Sequence, residues 1–562
     1  ELLRYPMAKA DLEEYTVPNG VVSIAEYAFS ATVIKKVVLP EGLQTIVART
    51  FDKCTSLEEI VIPNRVVSIG EYAFNKCTAL KTLVLGANVT DIGERAFYEC
   101  SAVTELTVPN QELVNIETSA FYKVNPEKII IREDAQSISE SFLELTNLTA
   151  FEMTKAAEEG EAGVFEVQED VLFVNKEAGK ELLRYPMAKA DLEEYTVPGD
   201  VVSMSDYAFN KSMLKKVVLP EGLQNIPAYA FNECTALEEI VIPDGVKSVG
   251  NNAFYKNISL SKVVLGDGVI SIGDKAFYQC EALEDVSGED NLLTIGEYAF
   301  YMCSSLPKAV IGPGTTSIGN YAFKGCTSTE QVVIPDSVTY LGYNCFSGAT
   351  GMKSLVVGEG LSGVENGTFE GCTSLENVVL GSKITYFGKS AFKGDSAIRT
   401  ITVPNQDCSF HNFVFEDVTP EKIIVREDAQ DIARGFLNFE SVTAFEMTES
   451  AVENAKGNLK TEDGVLYSVD GSLIRYPIAK SGETYEILEG TECLKGEAFD
   501  SCKNLLKVVL PDSVTTIEGV AFYNCTSLEE VVLGANVETI GTNIFYKTAL
   551  TDLTLPNTGV II

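Results

Sequence analysis

An Ala-Phe dipeptide, or a close variant of it, returns along the chain at intervals of 22 to 24 residues. A fixed period in this range indicates a solenoid, in which each unit buries its apolar side only against neighbouring units. The chain is therefore expected to stack coils instead of building one compact core. The repeated phenylalanines are Phe29, Phe51, Phe74, Phe97, Phe121, Phe209, Phe231, Phe254, Phe277, Phe300, Phe323, Phe346, Phe369, Phe392, Phe415, Phe499, Phe522 and Phe545.

One repeat unit, which begins at Leu57, reads LEEIVIPNRVVSIGEYAFNKCTA. Its residues Leu57, Ile60 and Ile62 have the spacing Leu-x-x-Leu-x-Leu, whose later positions predict a short strand. Pro63 ends that strand, because proline has no amide hydrogen to donate to a neighbouring strand. The Ala-Phe pair then supplies one small and one large core residue, so stacked units form continuous columns of core side chains.

The pattern L-x-x-(V/I)-x-(L/I)-P-x-x-V-x-x-I-G-x-x-A-F-x-x-C covers nearly the whole chain and resembles the BspA-like leucine-rich repeats of bacterial surface proteins. The resemblance implies a repeat solenoid, mainly β with loops and short helical turns. It implies a curved, right-handed leucine-rich-repeat structure of about twenty coils. It also implies export and a role in adhesion or protein binding, and it supplies no catalytic residues.

A longer duplication suggests how the chain is organised. Residues 1–18 are identical to residues 181–198, so the first residue is expected to lie inside a module. We predict three cassettes of one continuous solenoid, at 1–154, 155–448 and 449–562, with the first and last cut short. The second and third open with hairpins at about 155–186 and about 464–477.

The two predicted hairpins differ in their turns. Asp470-Gly471 predicts a type I′ turn, which needs positive φ, whereas the first copy has the longer and looser segment NKEAGK. The acidic stretches KAAEEGEAG and ESAVENAKGN precede the two hairpins. Each stretch can form a helical turn or a surface loop.

The acidic composition excludes one class of partner. With 43 Lys+Arg against 81 Asp+Glu, the net charge is −38, which excludes a nucleic-acid surface built on clustered basic residues. The apolar runs are far shorter than the roughly 18 residues of a membrane helix, so we expect no membrane span. We also expect a monomer. The first six residues show no export signal, and the expected secreted or cell-surface localisation follows from the resemblance.

Most of the 13 cysteines follow the repeat. Ten of them stand three residues after the repeated phenylalanine, so a column of reduced core thiols is predicted, with disulfides between neighbouring coils as the alternative. No C-x-x-C pair occurs, and with a single histidine a two-histidine metal site is excluded. We expect neither a metal nor a cofactor.

Catalytic interpretations find little support in the sequence. His411 lies near Cys408 and Ser409, but residues this close along a strand point to alternate faces, and no third residue orients the imidazole. Paired glutamates such as Glu58-Glu59 recur because the repeat recurs, without any sign of a cleft between two carboxylates. The chain is therefore predicted not to be an enzyme.

The most suggestive surface lies on the predicted strands, where one outward position is usually valine. Side chains alternate along a strand, so these valines are expected to form an exposed apolar ridge with a charged border. Valine also simply suits an exposed strand, and that interpretation stays open. The candidate residues are Val38, Val61, Val84, Val218, Val241, Val264, Val333, Val356 and Val379, with Glu58, Glu59, Glu238 and Glu239 at the border, and Val509 and Val532 continue the pattern.

These observations favour a non-catalytic extracellular protein that binds a protein or glycan partner through its concave strand face. The alternative is a structural spacer that displays domains outside this sequence. A stripe of tyrosines follows the repeated phenylalanine and either binds a ligand or packs half-buried along the coils. The chain also ends in TLPNTGVII, in which Leu555–Gly559 fits either a sortase signal or a Leu-Pro strand end of the repeat.

Overall fold

The computed structural model describes residues 1–5, 12–154, 164–448, 456–555 and 560–561. These residues form two compact units, Glu1–Leu260 and Ser261–Ile562. Each unit is a β-solenoid whose coils follow the predicted period, so the predicted repeat solenoid is confirmed. The predicted boundaries between the three cassettes stay a prediction.

Each regular coil contains two strands, which we call the major strand and the minor strand. The coil that begins at Leu57 has its major strand at Glu59–Val61 and its minor strand at Ser68–Ile69. Both pair in parallel with the equivalent strands of neighbouring coils, as in Ile60 opposite Leu83 and Ile69 opposite Ile92. Because the coils are in register, each core position lies over the same position of the next coil.

In the first unit, two rows of major strands flank an antiparallel insertion. The major strands are Glu14–Thr16, Lys36–Val38, Glu59–Val61, Thr82–Val84, Glu105–Thr107, Lys128–Ile131 and Ala150–Met153, followed after the insertion by Glu194–Thr196, Lys216–Val218 and Glu239–Val241. The minor strands are Thr45–Ile46, Ser68–Ile69, Asp91–Ile92, Asn115–Ile116, Asn225–Ile226 and Ser248–Val249. The insertion contains Phe165–Gln168, Val171–Lys176 and Gly179–Arg184, of which the last pairs in parallel with Val201–Met204, and the helix is Glu140–Leu143.

The second unit repeats this plan. Its major strands are Lys262–Val264, Asp285–Ser287, Gln331–Ile334, Ser354–Val357, Asn377–Val379, Thr400–Thr402, Lys422–Arg426, Ala444–Thr448, Thr484–Glu486, Lys507–Val509 and Glu530–Val532. Its minor strands are Ser271–Ile272, Thr294–Ile295, Ser317–Ile318, Tyr340–Leu341, Gly363–Val364, Tyr386–Phe387, Ser409–Phe410, Cys493–Leu494, Thr516–Ile517 and Thr539–Ile540. The insertion contains Leu459–Glu462, Val465–Ser468 and Ser472–Arg475, the α-helix is Arg434–Leu437, and a 3₁₀ turn spans Glu289–Asn291.

Each insertion is a three-stranded antiparallel meander, and its turns differ from the expected ones. The type I′ prediction for Asp470-Gly471 is wrong, because only Gly471 has positive φ and the loop between Val465–Ser468 and Ser472–Arg475 has three residues. A separate register shift lies within these strands, between Leu466 and Tyr467. The two-residue turn with positive φ at both positions lies one strand earlier, at Asp463-Gly464. In the first meander, Lys176 pairs with Gly179, so the extra residues of NKEAGK lengthen the strands and the loop stays tight.

The repeated phenylalanine lies in a segment that alternates between left-handed and ordinary turn conformations. Tyr72 and Lys76, two positions before and after Phe74, have φ of 54° and 58°. The amides of Tyr72, Phe74 and Lys76 donate to the next coil at 2.7–2.9 Å, while the amides between them close local turns. This alternation gives each coil a third row of hydrogen bonds between coils, without a regular strand.

The core of each unit consists of side-chain columns. Phe74 is fully buried and stacks on Phe51 and Phe97, with ring centroids 4.9 and 5.1 Å apart and nearly parallel planes. Leucine, isoleucine and valine columns from both strands pack around this aromatic column. All thirteen cysteines are free thiols in this structure, and the ten of the repeat column are buried.

Part of the sequence analysis falls outside the described residues. KAAEEGEAG occupies residues 155–163, and most of ESAVENAKGN occupies residues 449–455, so the helical-turn or loop question lies outside the described part of the chain. Residues 556–559 of the LPNTG motif also lie outside it.

Candidate partner-binding face

The candidate valines occupy one position of the major strands. Within a strand such as Glu59–Val61, Ile60 is fully buried and Val61 points away from the core, because side chains alternate along the strand. Parallel pairing places Val61 opposite Val84, and Val333 opposite Val356. We call the valines at this position the outward valine row: Val38, Val61, Val84, Val218, Val241, Val264, Val333, Val356, Val379, Val509 and Val532.

Exposure varies along the outward valine row. Val241 is 57% exposed and Val333 is 50% exposed, and Val38, Val61, Val218 and Val532 are also exposed. The other members, Val84, Val264, Val356, Val379 and Val509, are half-buried. A half-buried valine still presents part of its apolar surface to solvent.

A ladder of ion pairs borders the outward valine row. The Glu59 carboxylate lies 3.3 Å from Nζ of Lys36, and Glu58 lies 3.2 Å from Nζ of Lys81. In the later coils, Glu239 lies 3.0 Å from Nζ of Lys216. Acidic and basic side chains therefore alternate from coil to coil and neutralise one another beside the valines.

The ion pairs also shift the proton affinities of their members. The Lys216 ammonium donates a hydrogen bond to the Glu239 carboxylate, which raises the pKa of Lys216, and a hydrogen bond from Lys35 lowers the pKa of Glu13. These side chains are open to solvent, which screens the interactions. The fourth border residue, Glu238, is exposed.

Two cavities open on this face. A small groove of about 170 Å³ lies between Val218 and Val241, with Pro243 at its end. A larger cavity of about 540 Å³ lies beside Val333 and is lined by three prolines together with Ala309 and Ile311. The face therefore carries an indentation in each unit, and the one beside Val333 has the greater volume of the two.

The residues considered for catalysis are engaged elsewhere. His411 is exposed, and its ring contacts the edge of Tyr386. The Ser409 hydroxyl donates to the carbonyl of Thr385, and the Cys408 thiol donates to the carbonyl of Ile384. The hydrogen bonds found in this part of the described chain therefore do not join either nucleophile to the imidazole, as general-base activation requires.

The column thiols lie in an apolar environment. Burial raises the pKa of Cys234 to about 12, and it raises the pKa of Cys303 well above its usual value. A thiol must lose its proton to act as a nucleophile or a metal ligand. Cys234 and Cys303 are therefore expected to be unreactive in the folded protein. Within the described residues no cluster of three or more metal-ligating side chains is found.

Comparison with protein-family models identifies the family to which the repeat belongs. The model of the BspA type leucine rich repeat region matches residues 4–111, 80–175, 202–329, 316–443 and 481–562. The chain belongs to the BspA-type leucine-rich repeat family. Members of this family are bacterial surface proteins, and leucine-rich repeat proteins are generally non-enzymatic.

Several of the solved structures that this chain resembles are bacterial leucine-rich repeat proteins. A leucine rich cell surface protein from Faecalibacterium prausnitzii is 22% identical, with 72% of this chain and 85% of that chain covered and a TM-score of 0.28. A leucine-rich repeat protein from Eubacterium ventriosum is 23% identical, with 56% and 82% covered and a TM-score of 0.43. One from Bacteroides ovatus is 18% identical, with 87% and 88% covered and a TM-score of 0.30. Comparison with curated proteins gave no match.

Two further features of this BspA-type chain bear on its surface. The tyrosines that follow the repeated phenylalanine are half-buried or exposed and stack on one another, as Tyr278 and Tyr301 do at 4.8 Å between ring centroids.

Among the described residues, no helix is long and apolar enough to span a bilayer.

Sequence reasoning missed the ion-pair ladder and the cavity beside Val333. The alternation of Lys35-Lys36, Glu58-Glu59 and Lys81 was visible in the sequence and could have predicted the ladder, given parallel strands in register. The cavity had a weaker signal in Pro307, a proline at a position where other coils have an amide donor.

Proposed function

We propose that this chain is a non-catalytic cell-surface or secreted protein that docks an extracellular protein on its outward valine row. The observation that carries the proposal is an apolar row of up to three consecutive coils at a time, in which Val241 and Val333 are at least half exposed, beside a border of ion pairs. Interfaces combine an apolar centre with a polar rim, and this face has both. The surface localisation is supported by the family, whose members are bacterial surface proteins.

The row favours a protein partner over a glycan. Its exposed side chains are aliphatic, so the free energy of binding would come from removing apolar area from water. The charged border would then fix orientation and influence the association rate more than the affinity.

The test is a binding screen with the full chain immobilised against purified extracellular matrix proteins and glycans. A triple variant at three exposed positions of the row, Val218→Lys, Val241→Lys and Val333→Lys, should abolish binding of any protein found. Exposed strand positions tolerate such changes within about 0.5 kcal/mol each, so the fold should survive. The matched control places the same charges on exposed minor-strand positions, as Thr45→Lys, Thr294→Lys and Thr539→Lys.

The control variant should bind as the unmodified chain does. Binding that survives the valine triple and fails in the threonine triple would place the interface on the minor strands and contradict the proposal. A screen in which no protein or glycan binds would favour the structural spacer.

A further inference from the structure

The outward valine row is interrupted in the coil that begins at Leu306. In the row of major strands, Asp285–Ser287 is followed by Gln331–Ile334, and the coil between them forms no major strand in the described chain. It contributes to that row only an isolated bridge, from Lys308 to Gln331. Pro307 explains part of the break. In regular coils the residue at its position donates its amide to the preceding coil, as Glu58 does to Lys35, and proline has no such hydrogen.

The side chains of this coil are also rotated relative to the repeat. Val310 stands where other coils have an outward valine, yet it is 3% exposed, and Ile311, at a position normally inside, is half-buried. The departure begins in the preceding coil, at Gly288. Its φ is +89°, and a Cβ atom there would lie 1.9 Å from the Leu265 carbonyl oxygen. The backbone of the two coils therefore departs from the regular path.

The departure leaves a place open in the hydrogen-bond ladder. In many coils the amide two positions after the first buried strand residue donates to an outward residue of the next coil. Leu265 donates in this way to Ser287 at 2.8 Å, and Leu510 to Val532 at 2.9 Å. The equivalent amide, that of Ile311, instead donates to Ala309 in its own coil at 3.1 Å. Among the described residues, the Val333 carbonyl therefore lacks the donor that those coils supply.

An apolar cavity lies at the same place. Its volume is about 540 Å³, and its apolar lining is formed by Pro307, Ala309, Ile311, Pro313, Val333 and Pro335. The nearby charges are neutralised, since Lys308 lies 2.6 Å from Glu289 and Lys353 lies 3.0 Å from Glu330. A cavity of this size with an aliphatic lining holds one or two apolar side chains.

We infer that this cavity, with the edge of the strand Gln331–Ile334, binds an extended peptide segment of the protein partner. One amide of the peptide donates to the Val333 carbonyl, and a neighbouring aliphatic or proline side chain fills the cavity. This is strand addition to an open sheet edge, in which main-chain hydrogen bonds give affinity and a pocket gives specificity. The net charge of −38 favours basic residues flanking the apolar one.

The inference rests on the proposed function, because Val333 belongs to the outward valine row. Six of the nine lining residues are aliphatic and none is aromatic, which favours an apolar side chain over a sugar ring, while Lys308, Glu330 and Gln331 form the polar part of the lining. The occupant is therefore a peptide with an apolar side chain and a free backbone amide.

The experiment selects short random peptides, displayed on phage, against the full chain, and then measures the best synthetic peptide by calorimetry. Val333→Lys and Pro313→Lys alter exposed residues of the cavity and should each weaken binding about tenfold or more. Thr294→Lys and Thr539→Lys place the same charge on exposed minor-strand positions outside the valine row and should change the dissociation constant less than about twofold. Methylation of the peptide amide beside the apolar residue should weaken binding about tenfold, because it removes the donor.

Each other outcome contradicts the inference in a different way. A peptide whose binding is lost with Thr294→Lys or Thr539→Lys, and kept with Val333→Lys, would bind on the minor strands and exclude the cavity. A peptide unaffected by all four variants would bind away from both the cavity and these minor-strand positions. In either case the matrix-protein screen would still decide the proposed function. Failure to select any peptide with a dissociation constant below about 100 µM would exclude peptide addition at this edge, while the matrix-protein screen would still decide the proposed function.

Discussion

Asp395 is a carboxylate in the column that elsewhere contains cysteine. It stands three residues after Phe392 and is fully buried. Its Oδ1 accepts the Cys372 amide at 2.7 Å, whereas Oδ2 is buried without a hydrogen-bond partner among the described residues. Burial raises the pKa of Asp395 from 3.8 to about 8, and the hydrogen bonds from backbone amides only partly oppose this. The side chain is therefore expected to be protonated at neutral pH.

The raised pKa makes the stability of the surrounding coils depend on pH. A carboxyl group whose pKa is higher in the folded than in the unfolded chain stabilises the fold most below pH 4, and this stability is lost as the pH rises through about 8. The two pKa values differ by about four, and each pKa unit corresponds to about 1.4 kcal/mol, which gives roughly 6 kcal/mol. That value is an upper bound, because local opening lets water reach the ionised group.

The substitution Asp395→Asn keeps the shape and removes the titration, and Asn257 occupies the equivalent position elsewhere in the chain. Urea unfolding of the second unit should therefore show the variant gaining stability relative to the unmodified chain between pH 5 and pH 9, by several kcal/mol. Asp395→Cys, which restores the column, should show the same trend. The control Asp552→Asn changes an exposed carboxylate and should give no such trend. Parallel pH profiles for Asp395→Asn and the unmodified chain would refute the reasoning.

Three further expectations follow from the packing. Phe300→Ala should destabilise its coils by about 3–5 kcal/mol in urea unfolding, because Phe300 is fully buried between two stacked rings. Tyr301→Ala should cost much less stability. Equal losses would contradict the assignment of Phe300 to the core and Tyr301 to the edge. Arg475 donates to three backbone carbonyls and Arg184 to one. Arg475→Met should therefore lower the melting temperature more than Arg184→Met. The reverse order would contradict the link between these hydrogen bonds and stability. An aromatic disulfide reagent should modify the two half-buried thiols first, and rapid reaction of all thirteen without denaturant would contradict the buried column.

The sequence alone predicted the repeat, the core and the outward positions. This was possible because a solenoid converts a linear period directly into stacked columns, so Phe74 must lie between Phe51 and Phe97 once the coils are in register. Alternation along a three-residue strand then determines which valine points outward. The cassette boundaries and the function of the valine row remain predictions.

The turns of the meander depended on pairing that the sequence did not specify. Two Asp-Gly pairs are available, at Asp463-Gly464 and Asp470-Gly471, and both are acceptable hairpin signals. The register that buries Val465, Leu466 and Tyr467 gives the two-residue turn to the first pair and a longer loop to the second. Burial of side chains therefore overrode the local preference.

Tertiary structure decided the features in which neighbouring coils differ. Pro307 could be read in the sequence, but the inward rotation of Val310 and the turn of the Ile311 amide depend on how the chain packs against the adjacent coils. The position of Asp395 in the column could also be read, whereas the lack of a partner for one oxygen depends on the atoms around it. A repeat determines the average coil through its period, and each departure from that average is determined by the contacts that its neighbours can offer.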